Sequence, residues 1–575
     1  MPTLQFKGKS LVQNHHLVVP FTELDPVKSR GLSKNPSLHD NLIIEGDNLK
    51  ALKALLPTFH GKIKCIYIDP PYNTGNEGWI YNDKVNSPMM REWLGKTVDR
   101  DDLTRHDKWC CMMLPRLKLL RELLRDDGLL AISIDDNELS NLLDLCDEVF
   151  DRDNRFAVIC VRNNPRGRRL GTQLAVEHEY LITYCKKIAA FEAGTLPLTE
   201  DQLAEYSETD SKGRKYRALG LRKRGALSTR KDRPNLHFPL YGNPTTKLVS
   251  LEPKKGFEKV IPKLSDKTEG VWRWSKNLIA ENLDLLEARY VKRRGSGKEE
   301  VDIFERDYLD AISGEQATRL FPSIWRGSDF NNETGKDELK QLFGKAVLEY
   351  PKPVGLIQHL MLLANVRDDI VLDSFAGSGT TAHAVLERNA SANHKARFIL
   401  CQMPYETKEQ EKNKENICET ITAERVRRAA SGVPKAKDDS LRKGLGGTFS
   451  YFRLGRELEK QAILDGKDLP SYEALAGYVF WTATGEEFQP KKLKQKEWFI
   501  GESREYDVFL LYDEKLETLK DMALTLEIAK KLPSVSGKRK LVFAPTKYLD
   551  QDYLDRLRIT FCQLPFEIYQ AAEPK

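Results

Sequence analysis

The sequence predicts an α/β fold: a mostly parallel sheet covered by helices, split by a long insertion and followed by a small second α/β unit. Three observations predict it. Between residues 41 and 188, apolar runs of strand length alternate with segments of helical period. The same rhythm resumes at 346–432, after a stretch that lacks it. A shorter alternation occupies 450–575. Strands separated by helix-length crossovers pair in parallel, so each strand is covered on both faces and reads as a nearly continuous apolar run.

The elements follow in order. Residues 1–40 read as an N-terminal extension without the apolar run of a signal peptide. "NLIIEGD" (Asn41 to Asp47) is a short buried strand, and "NLKALKALL" a helix after it. "IKCIYID" is the next strand. "WCCMMLPRLKLLRELLRDDG" (Trp109 to Gly128) is a long helix that Gly128 is placed to end, and "LLAISIDD" (Leu129 to Asp136) the strand after it. "NELSNLLDLCDEVF" is a helix; "FAVICV" and "HEYLITYCK" close this half. Residues 189–345 form the insertion, rich in Arg, Lys, Gly and Pro. "DDIVLDSFAGSGTTAHAVLERN" and "ARFILCQMP" restore the βα pattern, and "ITAERVRRAAS" reads as a charged surface helix. Residues 433–449 read as a linker before the C-terminal unit.

Composition narrows the function. The chain has 575 residues, 40% of them hydrophobic and 31% charged, with a net charge of only +6, so any nucleic-acid signal must be local. The nine cysteines form no CxxC pair and the ten histidines no HExxH, which argues against a structural zinc and for reduced core thiols in a cytoplasmic protein. No apolar stretch approaches membrane-spanning length.

Two loops carry chemistry. In "DIVLDSFAGSGTTAHAV" a strand runs through a glycine turn into a helix. A P-loop reading fails for want of a lysine after Gly379. A dinucleotide reading is weakened because residues 388–404 contain no acid for a ribose. An S-adenosylmethionine pocket and a plain βα turn remain open. The second loop, Asp69-Pro70-Pro71-Tyr72, must end its strand, since proline cannot donate to a ladder. It also suits a particular task. An aromatic exocyclic amine is a poor nucleophile because its lone pair is delocalised into the ring. A carboxylate (Asp69) and a carbonyl (Pro70) that both accept from the NH2 pull the nitrogen toward tetrahedral geometry and free the lone pair. Pro71 helps to fix the backbone, and Tyr72 offers a face on which an extruded base can stack. Both loops follow strands, so they can line one crevice at the carboxyl edge of the sheet although 304 residues separate Asp69 from Asp373 (373 − 69).

Asp69-Pro70-Pro71-Tyr72 upstream of Phe375-Ala376-Gly377-Ser378-Gly379 resembles the β-group amino-methyltransferases of DNA, in which the catalytic motif precedes the cofactor motif. The likeness is closest to modification subunits of type III restriction-modification systems and their stand-alone relatives. It rests also on "LIIEGDNLKAL", "DPPYNTGNEGW", "HEYLITYCK" and "YPKPVGLIQHL". It implies a class I methyltransferase-like sheet with circularly permuted motif order. Residues 41–188 are then the catalytic half and 346–432 the cofactor-binding half, with target recognition in 189–345. The resemblance implies S-adenosylmethionine as cofactor, held by Asp373, Phe375, Ala376, Gly377, Gly379 and Thr380, with Lys352 and Asp47 on the same pocket. Asp69, Pro70, Pro71 and Tyr72 become the catalytic loop. The acid that holds the cofactor ribose in many methyltransferases is replaced here by Gln402, with Glu406 further on; the choice between them is open. An aspartate before Pro-Pro-Tyr leans toward adenine N6 over cytosine N4.

Residues 210–233 hold ten Lys/Arg against two Asp, a pattern that suits phosphate contact and steering. Arg222, Lys223, Arg224 and Arg230 are candidate DNA contacts, as are Arg162, Arg166, Arg168 and Arg169 just beyond a strand. The expected function is therefore site-specific adenine N6 methylation of flipped-out bases in double-stranded DNA. A homodimer and a separate nuclease-ATPase partner are further expectations. The rival class is a DNA-recognition subunit in which methylation is secondary.

Overall fold

The computed structural model describes residues 3–74, 104–170, 174–264, 268–292, 299–310, 316–405, 407–457, 469–533 and 535–564. Two compact units result: Met1–Gly194 with Pro322–Lys575, and Thr195–Phe321.

The first unit is built on a ten-stranded sheet. Its strands are β1 (Thr22–Pro26), β2 (Leu42–Glu45), β3 (Ile63–Ile68), β4 (Leu124–Ile134), β5 (Arg155–Val161), β6 (Glu179–Cys185), β7 (Ile324–Trp325), β8 (Ile370–Asp373), β9 (Arg397–Gln402) and β10 (Ser450–Glu457). Their order across the sheet is β1-β10-β2-β9-β8-β3-β4-β6-β5-β7. The six strands from β10 to β4 are parallel, whereas β6 runs antiparallel to both β4 and β5. β2, β3 and β8 are buried along their whole length, as strands covered on both faces must be. The helices are α1 (Asn48–Phe59), α2 (Arg105–Leu123), α3 (Leu139–Phe150), α4 (Asn332–Phe343), α5 (Val354–Leu363), α6 (Thr380–Ala392) and α7 (Glu424–Ser431).

The expected mostly parallel α/β sheet is present, and its topology explains where a ligand can go. β8 and β3 are neighbours, pairing Val371 with Cys65 and Leu372 with Ile66. From β8 the chain crosses through α6 to β9 on one side; from β3 it crosses through α2 to β4 on the other. The two connections diverge, and the gap beyond the strand ends is a topological switch point, where ligands gather in open α/β sheets.

Some local expectations fail for tertiary reasons. The long helix does not reach Gly128: it stops at Leu123, and Leu124 already begins β4 opposite Ile63. The apolar period is lost at Arg125-Asp126-Asp127, where Lys64 Nζ instead takes Asp127 Oδ2 at 2.9 Å. Gly128 is needed because a Cβ there would lie 2.9 Å from the carbonyl oxygens of Arg125 and Ile63. Ser450–Glu457, which the boundary at 450 assigns to the C-terminal unit, is hydrogen-bonded into the main sheet between β1 and β2. The stretch read as a linker contains a short helix, Asp439–Lys443, with Leu441 buried.

Beyond residue 468 a four-stranded sheet (Phe499–Glu502, Tyr506–Leu510, Arg539–Ala544, Ile559–Gln563) has an apolar cluster on each face. The helix Tyr472–Thr484 covers one face, and its cluster also takes in Phe21 and Ala54. Among the described residues no helix is long and apolar enough to cross a membrane.

The second unit, Thr195–Phe321, holds a four-stranded antiparallel sheet (Glu208–Thr209, Lys215–Gly220, Glu299–Tyr308, Leu286–Lys292) and a three-stranded one (Leu248–Ser250, Leu240–Asn243, Glu258–Val260). Its core includes Trp272, fully buried, whose indole N–H donates to the Phe238 carbonyl at 2.8 Å, with Trp274 packed against the same cluster.

Candidate active site

The Asp69–Tyr72 loop leaves β3 at the switch point and is held by three struts. Pro71 gives its carbonyl to the indole N–H of fully buried Trp109 on α2, at 2.7 Å. Asn73, in the left-handed region at φ 59°, donates to Glu138, which also accepts from Asn141 at 2.7 Å and contacts His106 Nδ1 at 2.6 Å. Tyr72 donates its hydroxyl to Glu179 Oε2 at 3.1 Å and accepts from Lys352 Nζ at 2.6 Å. With Pro71's carbonyl engaged, Pro70's carbonyl has no donor among the described residues.

Asp69 stands at the mouth of this frame. Its Oδ1 is buried without a hydrogen bond among the described residues, and the Lys352 ammonium lies 3.4 Å away. Burial pushes the Asp69 carboxyl above the usual carboxylate range, against the pull of Lys352. The Tyr72 phenol is pushed well up by burial and by the charges of Asp69 and Glu179, so it stays protonated and serves as a donor.

The glycine loop leaves β8 beside it. Asp373 is buried; its Oδ1 accepts from Phe375 N at 3.0 Å and its Oδ2 from Thr381 Oγ1 at 2.6 Å. Burial raises its carboxyl to about 7. Gly377 (φ 51°) and Gly379 (φ 82°) take left-handed backbone that other residues adopt only with strain. A Cβ on Gly377 would meet nothing closer than the Phe375 carbonyl at 3.9 Å, so the loop presents bare backbone there. Gln402, at the end of β9, turns its Oε1 to accept from Gly377 N at 2.6 Å, and Thr422 Oγ1 donates to the Gly377 carbonyl at 2.6 Å. The side chain of Gln402 thus supports the glycine loop. Glu406, its rival for the ribose, lies outside the described residues, as does the end of "DPPYNTGNEGW".

Lys352 joins the two loops. Its carbonyl accepts from Thr380 Oγ1 at 3.0 Å, while its ammonium reaches Tyr72 of the Asp69–Tyr72 loop. Asp47 caps α1, accepting from Lys50 N at 3.1 Å, and its Oδ2 is 3.4 Å from Arg116 Nη2. The neighbouring Asn48 donates to the Ser374 carbonyl at 2.9 Å, which ties the end of β2 to the glycine loop.

A DNA methylase family model matches residues 63–413, a span that contains both loops. The chain belongs to the DNA methylase family. Among curated relatives, the EcoPI Mod subunit of a type III restriction-modification enzyme from Escherichia phage P1 is 33% identical over 417 residues, 70% of this chain and 63% of that one. The type II methyltransferase M.KpnI from Klebsiella pneumoniae is 34% identical over 379 residues, 65% of this chain and 82% of that one. The StyLTI Mod subunit from Salmonella typhimurium is 28% identical, matching 84% of this chain and 70% of that one.

Motif reading left two buried residues beside the loops without a role. Glu179 is buried and central, yet it sits in "EHEY" with no catalytic signature. The signal lies in topology: β6 runs antiparallel, so its first residues lie at the edge where β4 ends, with Tyr180 opposite Ile134. Arg425 corrects a reading. It belongs to the helix taken as a charged surface face, but it is fully buried and donates to Ser378 Oγ (2.8 Å) and Thr380 Oγ1 (2.7 Å) at the start of α6. Its partner Glu338 lies 3.4 Å away and caps α5, accepting from Val354 N at 3.1 Å. Only Arg427 and Arg428 keep to the outer face of the helix, paired with Glu424.

The basic candidates divide into paired and unpaired. Arg162 pairs with Glu177 at 2.7 Å, Arg222 with Asp302 at 3.1 Å and Arg230 with Glu269 at 2.9 Å. Arg166 is exposed, and Arg168 and Arg169 lie in a strand paired with Leu174–Val176. Lys223 is half-buried and Arg224 exposed, with no carboxylate partner for either among the described residues.

Proposed function

We propose that the methylase transfers a methyl group from S-adenosylmethionine to N6 of an adenine flipped out of duplex DNA. The observation that supports this best is the meeting of the two loops: Asp69 and the Pro70 carbonyl, which has no donor among the described residues, lie at the end of β3 next to the open glycine turn at the end of β8. The residues present suit the cofactor. Gly377 leaves its backbone uncovered, and the buried Ser374 Oγ has no hydrogen-bond partner among the described residues. Asp373, Phe375, Ala376, Gly377, Gly379 and Thr380 would hold it, with Asp47 at the neighbouring strand end. When bound, the cofactor supplies a methyl group on a sulfonium leaving group.

The chain's own part is to prepare the acceptor. Asp69, ionised, and the Pro70 carbonyl accept the two hydrogens of the adenine amine. Both acceptors are fixed before the base arrives: Trp109 holds Pro71, and Glu179 with Lys352 holds Tyr72. No reorganisation is then needed as the amine becomes tetrahedral, which is the main source of electrostatic rate enhancement. The proton lost from the amine after transfer passes to Asp69, the nearest base. The closing assay is incubation of duplex DNA of mixed sequence with methyl-labelled cofactor. Label is expected in N6-methyladenine; label in N4-methylcytosine alone would overturn the choice of base.

DNA is gripped through unit Thr195–Phe321 in this reading, by Lys223 and Arg224 ahead of the paired Arg222 and Arg230. Each phosphate contact contributes a slope of about −0.9 to log K against log salt. The Lys223→Ala/Arg224→Ala double variant is expected to bind duplex DNA more weakly, with a slope about 2 units shallower. An unchanged slope would remove both residues from the interface. A dimer, and association with a separate restriction subunit as the Mod relatives' names suggest, belong to the same proposal.

A further inference from the structure

Preparing the amine needs only Asp69 and the Pro70 carbonyl, yet two buried charged residues, Lys352 and Glu179, converge on the same loop. Lys352 Nζ is 2.6 Å from Glu179 Oε1, 2.6 Å from the Tyr72 hydroxyl and 3.4 Å from Asp69 Oδ1. Glu179 is 3% exposed and Lys352 9%. Glu179 Oε2 is filled by Tyr72 and by Asn163 Nδ2 at 2.7 Å. The cluster thus holds two carboxylates and one ammonium.

The sign of the missing charge decides what such a cluster does. Two carboxylates packed against each other favour sharing one proton unless a cation sits between them. If that proton sits on Asp69, the carboxyl offers a donor to the adenine amine where an acceptor is required. Among the described residues, the other groups facing Asp69 do not supply the cation. Tyr67, bonded to Ser133 at 2.9 Å, and Tyr72 are neutral phenols, and Asp373 on β8 adds only negative potential when ionised.

We propose that Lys352 is a positioning residue that keeps Asp69 ionised and aimed at the substrate amine, and that Glu179 anchors the lysine there. This rests on the adenine-methylation reading above. It also moves the ammonium of Lys352 from the cofactor to the catalytic loop, leaving only its backbone carbonyl toward the glycine loop through Thr380. Burial lowers the Lys352 ammonium, but the Asp69 and Glu179 carboxylates outweigh it and raise the ammonium above its usual range, so the charge is present at neutral pH.

The test is single-turnover methylation of adenine in duplex DNA between about pH 6 and 9, with cofactor affinity measured by calorimetry on each variant. Wild type is expected to be nearly flat across this range. Lys352→Met is expected to lose roughly 100-fold at pH 7 and to regain about tenfold per pH unit as Asp69 ionises, with cofactor affinity within about threefold of wild type. Adding Glu179→Gln to Lys352→Met should restore part of the rate at pH 7, because a lone carboxylate ionises more readily than one of a pair. Lys352→Arg should lose less and stay flat.

A Lys352→Met loss that is constant in pH, or that follows a collapse in cofactor affinity, overturns the proposal while the wild-type methylation stands. A wild type that leaves adenine unmethylated removes the functional reading and the proposal together. Should Lys352→Met fail to fold, Lys352→Gln decides by the same criterion: a loss that recovers as pH rises supports the proposal, and a loss constant in pH overturns it.

Discussion

Replacing Asp69 by alanine is expected to lower the rate of methyl transfer by roughly 10³-fold or more while cofactor affinity stays within about threefold of wild type. The split follows from position. Asp69 belongs to the loop after β3, and its nearest charged partner is Lys352; none of its contacts holds the glycine turn after β8. The variant removes the one carboxylate placed to accept from the amine and leaves the Pro70 carbonyl, so the nitrogen keeps its planar geometry. Asp69→Asn discriminates further. Its carbonyl oxygen still accepts, but its NH2 turns a donor on the amine in half of its orientations, so activity should fall between wild type and alanine. Single-turnover kinetics with calorimetric cofactor titration measures both quantities. Retention of more than a tenth of the wild-type rate by Asp69→Ala would remove the residue from the chemistry.

The second large effect is on stability and lies under the glycine loop. Arg425 is fully buried, and burial pulls its guanidinium down to about 10, but it remains charged at neutral pH. Removing one partner of a buried ion pair costs about 3–5 kcal/mol, and Arg425→Met is expected near the lower end. The reason is Glu338. Burial raises its carboxyl from 4.5 to about 7, opposed by Arg425. Without the arginine it rises further, and the carboxyl is neutral when folded at pH 7. An acid whose folded pKa lies above its unfolded value lends stability that is fully present below the unfolded value and is lost as pH rises through the folded one. The penalty of Arg425→Met is therefore expected to be smallest near pH 5 and to grow toward pH 8. Urea titrations across that range measure it. Cofactor affinity should fall as well, because Ser378 and Thr380 lose their shared donor and α5 loses the charged partner of its cap. A penalty independent of pH would mean that Glu338 is not the titrating group.

The fold was legible where burial is symmetric. β2, β3, β8 and β9 read as apolar runs because helices cover both faces of the sheet, and the glycine turn after β8 read as such because Gly377 and Gly379 sit where a side chain would be strained. It was less legible where a neighbour overrides local preference. α2 ends five residues before the glycine that a helical period would choose, because Leu124 pairs with Ile63 and Asp127 meets Lys64. α7 looks like a solvated charged face until Arg425 is found beneath the glycine loop.

What the sequence by itself determined is the chemistry of the two loops. Asp-Pro-Pro-Tyr ends a strand and leaves an acid and a carbonyl at its tip; Phe-Ala-Gly-Ser-Gly opens a helix with uncovered backbone. Residue type and chain order are local properties, so they survive translation into one dimension. The tertiary structure alone decided which charges govern those loops. Lys352 and Glu179 lie 173 residues apart. They meet because β6 runs antiparallel and brings its first residue to the carboxyl edge of the sheet, and because the chain before α5 passes over the same edge. Their effect on Asp69 is electrostatic, set by ångströms of separation and by burial, and neither quantity is written in the spacing of residues along a chain.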